Sequence, residues 1–280
     1  MDQDIRPSPI AGQWYTADGT ALASELDGYI NQAVLPKIPG EVVAVIAPHA
    51  GYRYSGSVAG YAFAAIRHNK PEVIAILSPM HQPYRQSFLT SGHQYYSTPL
   101  GTIRVDNALV SRLTDSLWND HQLDLHPVRN DGEHSLEIEL PFLQRIYTHP
   151  FTLLPVMVRD YALESCEKLG ATLFQVLQEK NAMVVISTDL SHFYQEHTAN
   201  MLDANIMESM MKLDTCGVYQ SEVDGTGFAC GAGAVIAGLQ YARFAGATKG
   251  VLLKYGTSGN VTHDHGSVVG YGAITLVKET

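Results

Sequence analysis

The chain has 280 residues, of which 45% are hydrophobic and 16% are charged, and its formal net charge is −10. This length allows a large buried core, and the acidic balance without any block of Lys or Arg excludes a general nucleic-acid binder. No apolar stretch of about 18 residues occurs, and no basic leader precedes an apolar run. We therefore expect a cytoplasmic protein that neither spans a membrane nor carries a standard export signal.

Cysteine usage and the low charge give two further expectations. The three cysteines, Cys166, Cys216 and Cys230, are widely spaced. This spacing is not that of a disulfide framework, and it indicates a reducing compartment. Charged residues fall well below the roughly 25% typical of globular chains, so association into a homo-oligomer is compatible with the composition.

The first central strand is predicted early in the chain. An apolar pattern at helical spacing covers residues 22–30, after two aromatic residues and a polar turn. The nearly continuous β-branched run 42–47 then predicts a strand that is covered on both faces of a parallel sheet. Pro48 ends this strand, so the strand delivers His49 just past its carboxyl end.

Two later strands repeat this arrangement of an apolar run followed by a histidine. Residues 73–77 run into His81, and residues 183–187 run into His192. Because parallel strands place their carboxyl ends on one edge of a sheet, where ligands bind in open α/β folds, these side chains should converge with His49. The sequence therefore predicts a histidine cluster that suits a metal ion.

The remaining elements alternate between helices and strands. Helical patterns cover 57–67, 107–118, 161–180, 197–212, 218–223 and 234–244, and strand patterns cover 87–90, 94–97, 102–105, 151–158, 250–255 and 267–277. Such alternation is typical of βαβ units with right-handed crossovers. We therefore predict one α/β domain over residues 1–280, with a central mixed, mostly parallel sheet and helices on both faces.

Residues 131–142 concentrate His134 and three glutamates around a predicted helix start. Acidic residues in the first turn of a helix are favoured by the helix dipole. We interpret the glutamates in that way, and His134 stays open as a residue of the site.

Cys230 lies in a run of small residues just before the predicted helix 234–244. A sulfur at the amino terminus of a helix is in a position where the dipole favours the thiolate. Gly231 and Gly233 are too few for a dinucleotide fingerprint, and they predict close packing of this helix. We therefore expect Cys230 to be available as a metal ligand, unlike Cys166 and Cys216.

Taken together, these motifs resemble one family over essentially the whole chain. They are Gly12-x-Trp14-Tyr15, Pro48-His49-Ala50-Gly51-Tyr52-x-Tyr54-x-Gly56, Pro79-x-His81, Glu133-His134-Ser135-Leu136-Glu137, Ser187-x-Asp189-x-Ser191-His192 and Cys230-Gly231. The family is that of the Memo-like proteins, usually named AmmeMemoRadiSam system protein B in bacteria and archaea.

The resemblance implies a fold and a metal site. Memo-like proteins look like class III extradiol ring-cleaving dioxygenases in fold, whose non-haem iron is held by two histidines and a glutamate. The resemblance places His49 and His81 on the two histidines and Cys230 on the third position, where a thiolate replaces the carboxylate. It implies Fe(II) as the metal, with Cu or Zn also accepted by such a donor set.

The resemblance also implies roles for the residues around that site. Asp189 and His192 would be acid/base residues or would orient the ligands, and Trp14 and Tyr54 would line the substrate pocket. The family name further implies a functional link to radical-SAM and AMMECR-type proteins.

Three functions of different classes remain open from the sequence. The first is a metal-dependent redox protein that uses dioxygen on an unknown small molecule. The second is a Zn-dependent hydrolase in which His192 or His134 is the general base. The third is a non-catalytic module that binds a peptide or partner in the same cleft, so whether the chain is an enzyme is itself open.

Overall fold

The computed structural model describes residues 4–279, and a mixed sheet of 12 strands runs through its centre. The strands are β1 (Ile5–Arg6), β2 (Gly40–Ala47), β3 (Val73–Pro79), β4 (Phe88–Ser91), β5 (Tyr95–Thr98), β6 (Gly101–Val105), β7 (Leu125–Val128), β8 (Thr152–Val158), β9 (Ala182–Ser187), β10 (His192–Tyr194), β11 (Lys249–Thr257) and β12 (Val268–Glu279). The helices are α1 (Gly19–Gln32), α2 (Tyr52–Ile66), α3 (Asn107–His121), α4 (Leu140–Ile146), α5 (Leu163–Leu177), α6 (Glu196–Met211), α7 (Thr215–Asp224), α8 (Ala232–Phe244) and α9 (Gly259–Thr262).

The centre of the sheet is parallel and its flanks are mixed. The order is β1-β5-β6-β8-β3-β9-β2-β12-β10, with β11 paired to β12, and β4 paired to β7 and β8. The strands β6, β8, β3, β9 and β2 are parallel to one another in this order, whereas β5 is antiparallel to β6 and β12 is antiparallel to β2. The predicted α/β fold with a mostly parallel centre is therefore confirmed.

Alternate residues of the central strands pack into two separate cores. In β2, Ala44 and Ile46 belong to a core shared with α3, α5, α6 and α8, whereas Val45 and Ala47 face a core shared with α1, α2 and α4. Because side chains of a strand alternate between the two faces, helices cover both sides of the sheet. The continuous apolar runs in the sequence follow from this double burial.

The structure differs from the sequence prediction at two helix starts. The helix predicted at 57–67 begins at Tyr52, because the glycine turn supplies Gly51 as the N-cap and Gly56 lets the helix approach the ring of Tyr29. The helix start predicted near His134 lies further along the chain. A 3-10 turn at Glu137–Glu139 and then α4 follow an irregular loop.

The predicted close packing at the start of α8 is confirmed by Gly233. A Cβ at this position would overlap the backbone oxygen of Asp160 and touch Val158. None of the helices in residues 4–279 has the length and apolarity needed to cross a membrane.

We expect Gly233→Ala to lower the free energy of unfolding by about 1–3 kcal/mol, because backbone must move to admit the methyl group. Gly28→Ala is the matched control, since no atom lies within 4 Å of a Cβ built in that part of α1. The control should be neutral or stabilising by about 0.5–1 kcal/mol. Urea unfolding of both variants measures the difference, and equal stabilities would contradict the close packing.

Candidate metal centre

Two histidines meet at the carboxyl edge of the parallel strands. His49 follows β2 and His81 follows β3, and their ring centroids lie 5.4 Å apart with planes at 77°. One ring nitrogen of each lies within 4.8 Å of the other. The predicted convergence of these two side chains is therefore confirmed, whereas their role as metal ligands stays a prediction.

His134 joins this pair from the loop between β7 and the 3-10 turn. One of its ring nitrogens also lies within 4.8 Å of a nitrogen of His49 and of His81, so three imidazoles form one group. The His134 ring stacks on His81 with centroids 4.7 Å apart, and it contacts the ring of Trp14 at a tilt of 32° with centroids 4.0 Å apart. Trp14, predicted in the pocket, thus forms a wall of the cluster.

Glu133 organises two of the three imidazoles. Its Oε1 lies 2.9 Å from His81 Nδ1 and 3.4 Å from His134 Nδ1, and its Oε2 accepts a hydrogen bond from His81 N at 2.6 Å. The backbone N–H groups of His134 and Ser135 donate to Oε1 as well. Burial raises the pKa of Glu133, but these hydrogen bonds outweigh burial and hold the pKa well below its ordinary value.

Glu137 and Glu139 lie in the first turn of the 3-10 helix, in agreement with the interpretation of the glutamates, but all three glutamates are buried and have specific partners. Glu133, Glu137 and Glu139 are each at most 1% exposed. Glu137 Oε2 pairs with Arg6 Nη1 at 2.6 Å, and its Oε1 accepts a hydrogen bond from Tyr15 at 2.8 Å. The loop 131–136, before the 3-10 turn, is irregular because its polar groups bond to buried side chains.

Arg6 fixes the loop that carries Glu133 and His134. Its Nη2 donates to Asp131 Oδ1 at 2.7 Å and to the backbone oxygen of Glu133 at 2.7 Å. The guanidinium also lies over the ring of Tyr96, 4.9 Å from the centroid. The side chain of Arg6 is 1% exposed, so this charge is compensated entirely inside the protein.

His49 is held by the residues that end β9. Its Nδ1 lies 2.9 Å from Ser187 Oγ, and its backbone N–H donates to Asp189 Oδ1 at 2.8 Å. Burial, and the nearby His134 and His81, hold the pKa of His49 well below its ordinary value. The imidazole is therefore neutral at physiological pH, which is the state that binds a metal.

The pKa values of the other titratable groups of the cluster shift in different directions, depending on burial and on their partners. Burial lowers the pKa of His81, but Glu133 outweighs burial, so the pKa ends above its ordinary value. Burial lowers the pKa of His134 to about 4. Burial raises the pKa of Asp189 to about 7, although the backbone N–H groups of His49 and Ala50 oppose this shift.

Cys230 reaches the cluster on the side of His49. Its Sγ lies 3.1 Å from His49 Nε2, and the backbone N–H of Asp189 donates to Sγ at 3.3 Å. Cys230 immediately precedes Gly231, the N-cap of α8, as predicted. Burial and the charge of Asp189 raise the pKa of the thiol, against the hydrogen bonds of Asp189 and Thr188. The thiolate expected at this helix start stays a prediction.

The other two cysteines lie away from the cluster. Cys166 packs in the core beneath α5, where burial raises the pKa of its thiol to about 12, and Cys216 is exposed on α7. Neither residue belongs to the group of three imidazoles.

His192 lines a cavity of about 280 Å³ that reaches Cys230. Leu190, Tyr194 and Phe228 form apolar walls of this cavity, and the rings of the last two stack with centroids 5.9 Å apart. The structure thus brings the third strand-end histidine to the same edge as the cluster. Tyr54 is placed elsewhere, in a cavity of about 340 Å³ that it shares with Tyr29, Tyr61 and Tyr255.

Several supporting residues were missed by reasoning from the sequence, namely Arg6, Glu133, Ser187 and Glu139. Two weak signals were available. Glu133 adjoins His134, and Ser187 opens the motif that contains Asp189. The partners of Arg6 lie 125–131 residues along the chain, and no spacing rule can show such a pairing.

Comparisons with known proteins agree with this architecture. A family model described as Memo-like protein matches residues 6–275. A MEMO1 family protein of Nitrosopumilus maritimus is 34% identical, with 98% of this chain and 100% of that protein covered. A MEMO1 family protein of Methanopyrus kandleri is 32% identical, with 97% of this chain and 98% of that protein covered.

One solved structure is similar in fold alone. The uncharacterized protein JW3007 from Escherichia coli K12 superposes with a TM-score of 0.52 at 13% identity. The match covers 84% of this chain and 100% of that protein. At this level of identity the similarity supports the α/β architecture and nothing about chemistry.

Proposed function

The chain belongs to the Memo-like protein family, and on that premise we propose that it is a non-haem Fe(II) protein. In this proposal His49, His81 and Cys230 hold the metal, and the protein performs redox chemistry with dioxygen on a small molecule. A functional link to radical-SAM and AMMECR-type proteins remains part of the proposal.

The observation that carries the proposal is the fixed direction of two imidazoles. Glu133 occupies Nδ1 of His81, and Ser187 occupies Nδ1 of His49, so Nε2 of each ring is left for another ligand. Histidines that bind metals are typically oriented in this way, by a carboxylate or another oxygen on the second nitrogen. Two histidines that only filled space at the edge of the sheet would not need an oxygen fixed on Nδ1 of each ring.

The separation of one pair of the proposed donor atoms also suits a first-row transition metal. Bonds of about 2.1 Å to nitrogen and 2.3 Å to sulfur, at angles of about 90–109°, separate the two donors by roughly 3.1–3.6 Å. The distance from Cys230 Sγ to His49 Nε2 is 3.1 Å. Two neutral imidazoles and one thiolate suit iron, copper or zinc, and iron is the choice that the family resemblance favours.

A bound Fe(II) would supply the electrons for dioxygen, and the protein would supply position and proton transfer. Nδ1 of His192 lies 2.8 Å from the backbone oxygen of Leu190, which can only accept. His192 therefore carries its proton on Nδ1 and keeps a lone pair on Nε2. Burial lowers the pKa of His192, so this ring is a neutral base at physiological pH beside the cavity that reaches Cys230.

A Zn-dependent hydrolase is the second candidate. The same neutral His192 could take a proton from water instead of from an organic substrate, and the donor set accepts Zn as readily as Fe(II). The identity of the metal separates the two candidates.

We expect anaerobically purified protein, free of chelators and of a His-tag, to contain about one iron per chain by elemental analysis. His81→Ala should lose most of this metal, because a two-donor site binds far more weakly. His68→Ala is the control, since His68 is exposed on the surface after α2. Stoichiometric zinc with no iron would favour the hydrolase, and equal metal in wild type and His81→Ala would refute this site.

A further inference from the structure

The hydroxyl of Ser187 has three close polar neighbours inside the protein. Ser187 Oγ lies 2.8 Å from the backbone oxygen of Ser135, 2.7 Å from Glu139 Oε1 and 2.9 Å from His49 Nδ1. All four residues are at most 2% exposed. Hydrogen-bonding rules decide which atom carries the proton in each of these contacts.

Only one assignment of protons satisfies all three contacts. A serine hydroxyl has a single proton and two lone pairs, and a backbone carbonyl oxygen can only accept. Ser187 must therefore donate its proton to Ser135 O, so both remaining neighbours must donate to Ser187. Glu139 can donate only as a carboxylic acid, and His49 can donate only with its proton on Nδ1. Any other assignment leaves two bare acceptors within hydrogen-bond distance of each other.

We propose that Glu139 is a neutral carboxylic acid that donates to Ser187 and thereby helps to hold His49 with its proton on Nδ1 and its lone pair on Nε2. Glu139 is then a positioning residue for the metal centre, acting through Ser187 without touching the metal. The protonation of Glu139 stands on its own, whereas its effect on metal binding rests on the proposed function.

The surroundings of Glu139 support the neutral form independently of this proton count. Its side chain forms no ion pair within residues 4–279, and its Oε2 has no hydrogen-bond partner there. An isolated buried carboxylate is so costly that such groups take up a proton instead. Burial, and the nearby Asp189, raise the pKa of Glu139 well above its ordinary value.

The contact with Cys230 fits the same tautomer of His49. Sγ of Cys230 lies 3.1 Å from His49 Nε2. With its proton on Nδ1, His49 presents the lone pair of Nε2 to this sulfur. The metal-free protein therefore already has the nitrogen lone pair directed at the proposed site.

Infrared spectroscopy of the metal-free protein tests the protonation of Glu139. At about pH 8.5, where ordinary carboxyl groups are ionised, the wild type should show a carboxylic-acid C=O band that Glu139→Gln lacks. Asp189→Asn and Glu137→Gln are matched controls that remove two other buried carboxyls and should keep the band. A wild type without the band, or a Glu139→Gln variant that retains it, would overturn the proposal.

Metal affinity and the tautomer of His49 test the positioning role. Glu139→Gln keeps a donor for Ser187 and should bind iron within about twofold of wild type, whereas Glu139→Met should bind about 10-fold more weakly. Ser187→Ala should lose about 10–100-fold, and the Nδ1–H signal of His49 in ¹⁵N NMR of the metal-free protein should change with it. Unchanged affinity in Glu139→Met would overturn the positioning role. A wild type that binds no metal would refute the proposed function, while the infrared result would still decide the state of Glu139.

Discussion

Cys230→Ser should lower the affinity for iron by on the order of 100-fold or more, while the fold stays intact, because the site loses its one soft, anionic donor. Equilibrium metal binding, followed by competition with a chelator, measures the effect. Cys166→Ser and Cys216→Ser are the matched controls, since one sulfur lies in the core and the other is exposed on α7. Their metal affinities should equal that of the wild type.

His134 is the competing third ligand, because its nitrogen groups with those of His49 and His81. An imidazole binds a metal in the plane of its ring, and the rings of His134 and His81 are stacked at only 12°. Two stacked rings share no common in-plane position for one ion, so His134→Ala should cost less affinity than Cys230→Ser. The reverse order would make the centre a three-histidine site and would contradict the role proposed for Cys230.

Arg6→Met should lower the free energy of unfolding by about 3–5 kcal/mol, the cost of leaving buried partner charges uncompensated. The side chains of Asp131 and Glu137, which pair with Arg6, are fully buried. Chemical denaturation at neutral pH measures the loss. Arg145→Met is the matched control, because its pair with Asp27 is about 40% exposed on both sides, and it should cost no more than about 1 kcal/mol.

The loss in the free energy of unfolding caused by Arg6→Met should also depend on pH. Burial already raises the pKa of Glu137 against the opposing effect of Arg6, and removal of Arg6 raises that pKa further. A raised pKa in the folded state favours folding at low pH and disfavours it as pH rises through that pKa. The loss should therefore be smaller at acidic pH than at neutral pH, and a loss that is independent of pH would contradict the ion-pair explanation.

The sheet was predictable because its strands carry local signals. The runs at 42–47, 73–77 and 183–187 are buried on both faces, so their apolar character is continuous and is visible without any knowledge of their partners. Each strand also ends at a residue with distinctive chemistry, which placed His49 and His81 correctly. The strands β1, β7 and β10 were missed because all three are short and contain polar residues.

The residues that support the site were not predictable, because local signals in the sequence do not identify their partners. Glu133, Glu137 and Glu139 are adjacent in sequence to a helix, and charge near a helix start has a common local explanation. Their true partners, His81, Arg6 and Ser187, come from distant segments. A buried carboxylate is specified by those partners, and its own neighbours in the sequence do not reveal them.

The wide sequence separation within the site has a consequence for how the protein acquires its native state. His49 bonds to Asp189 across 140 residues, and Cys230 lies 181 residues from His49. Contacts of such high separation form late, after loop closure has brought β2 and β9 together. Unlike a zinc finger, which folds around its ion, this chain must be nearly assembled before it presents donors to a metal. A bound ion would therefore slow unfolding and leave the rate of folding almost unchanged.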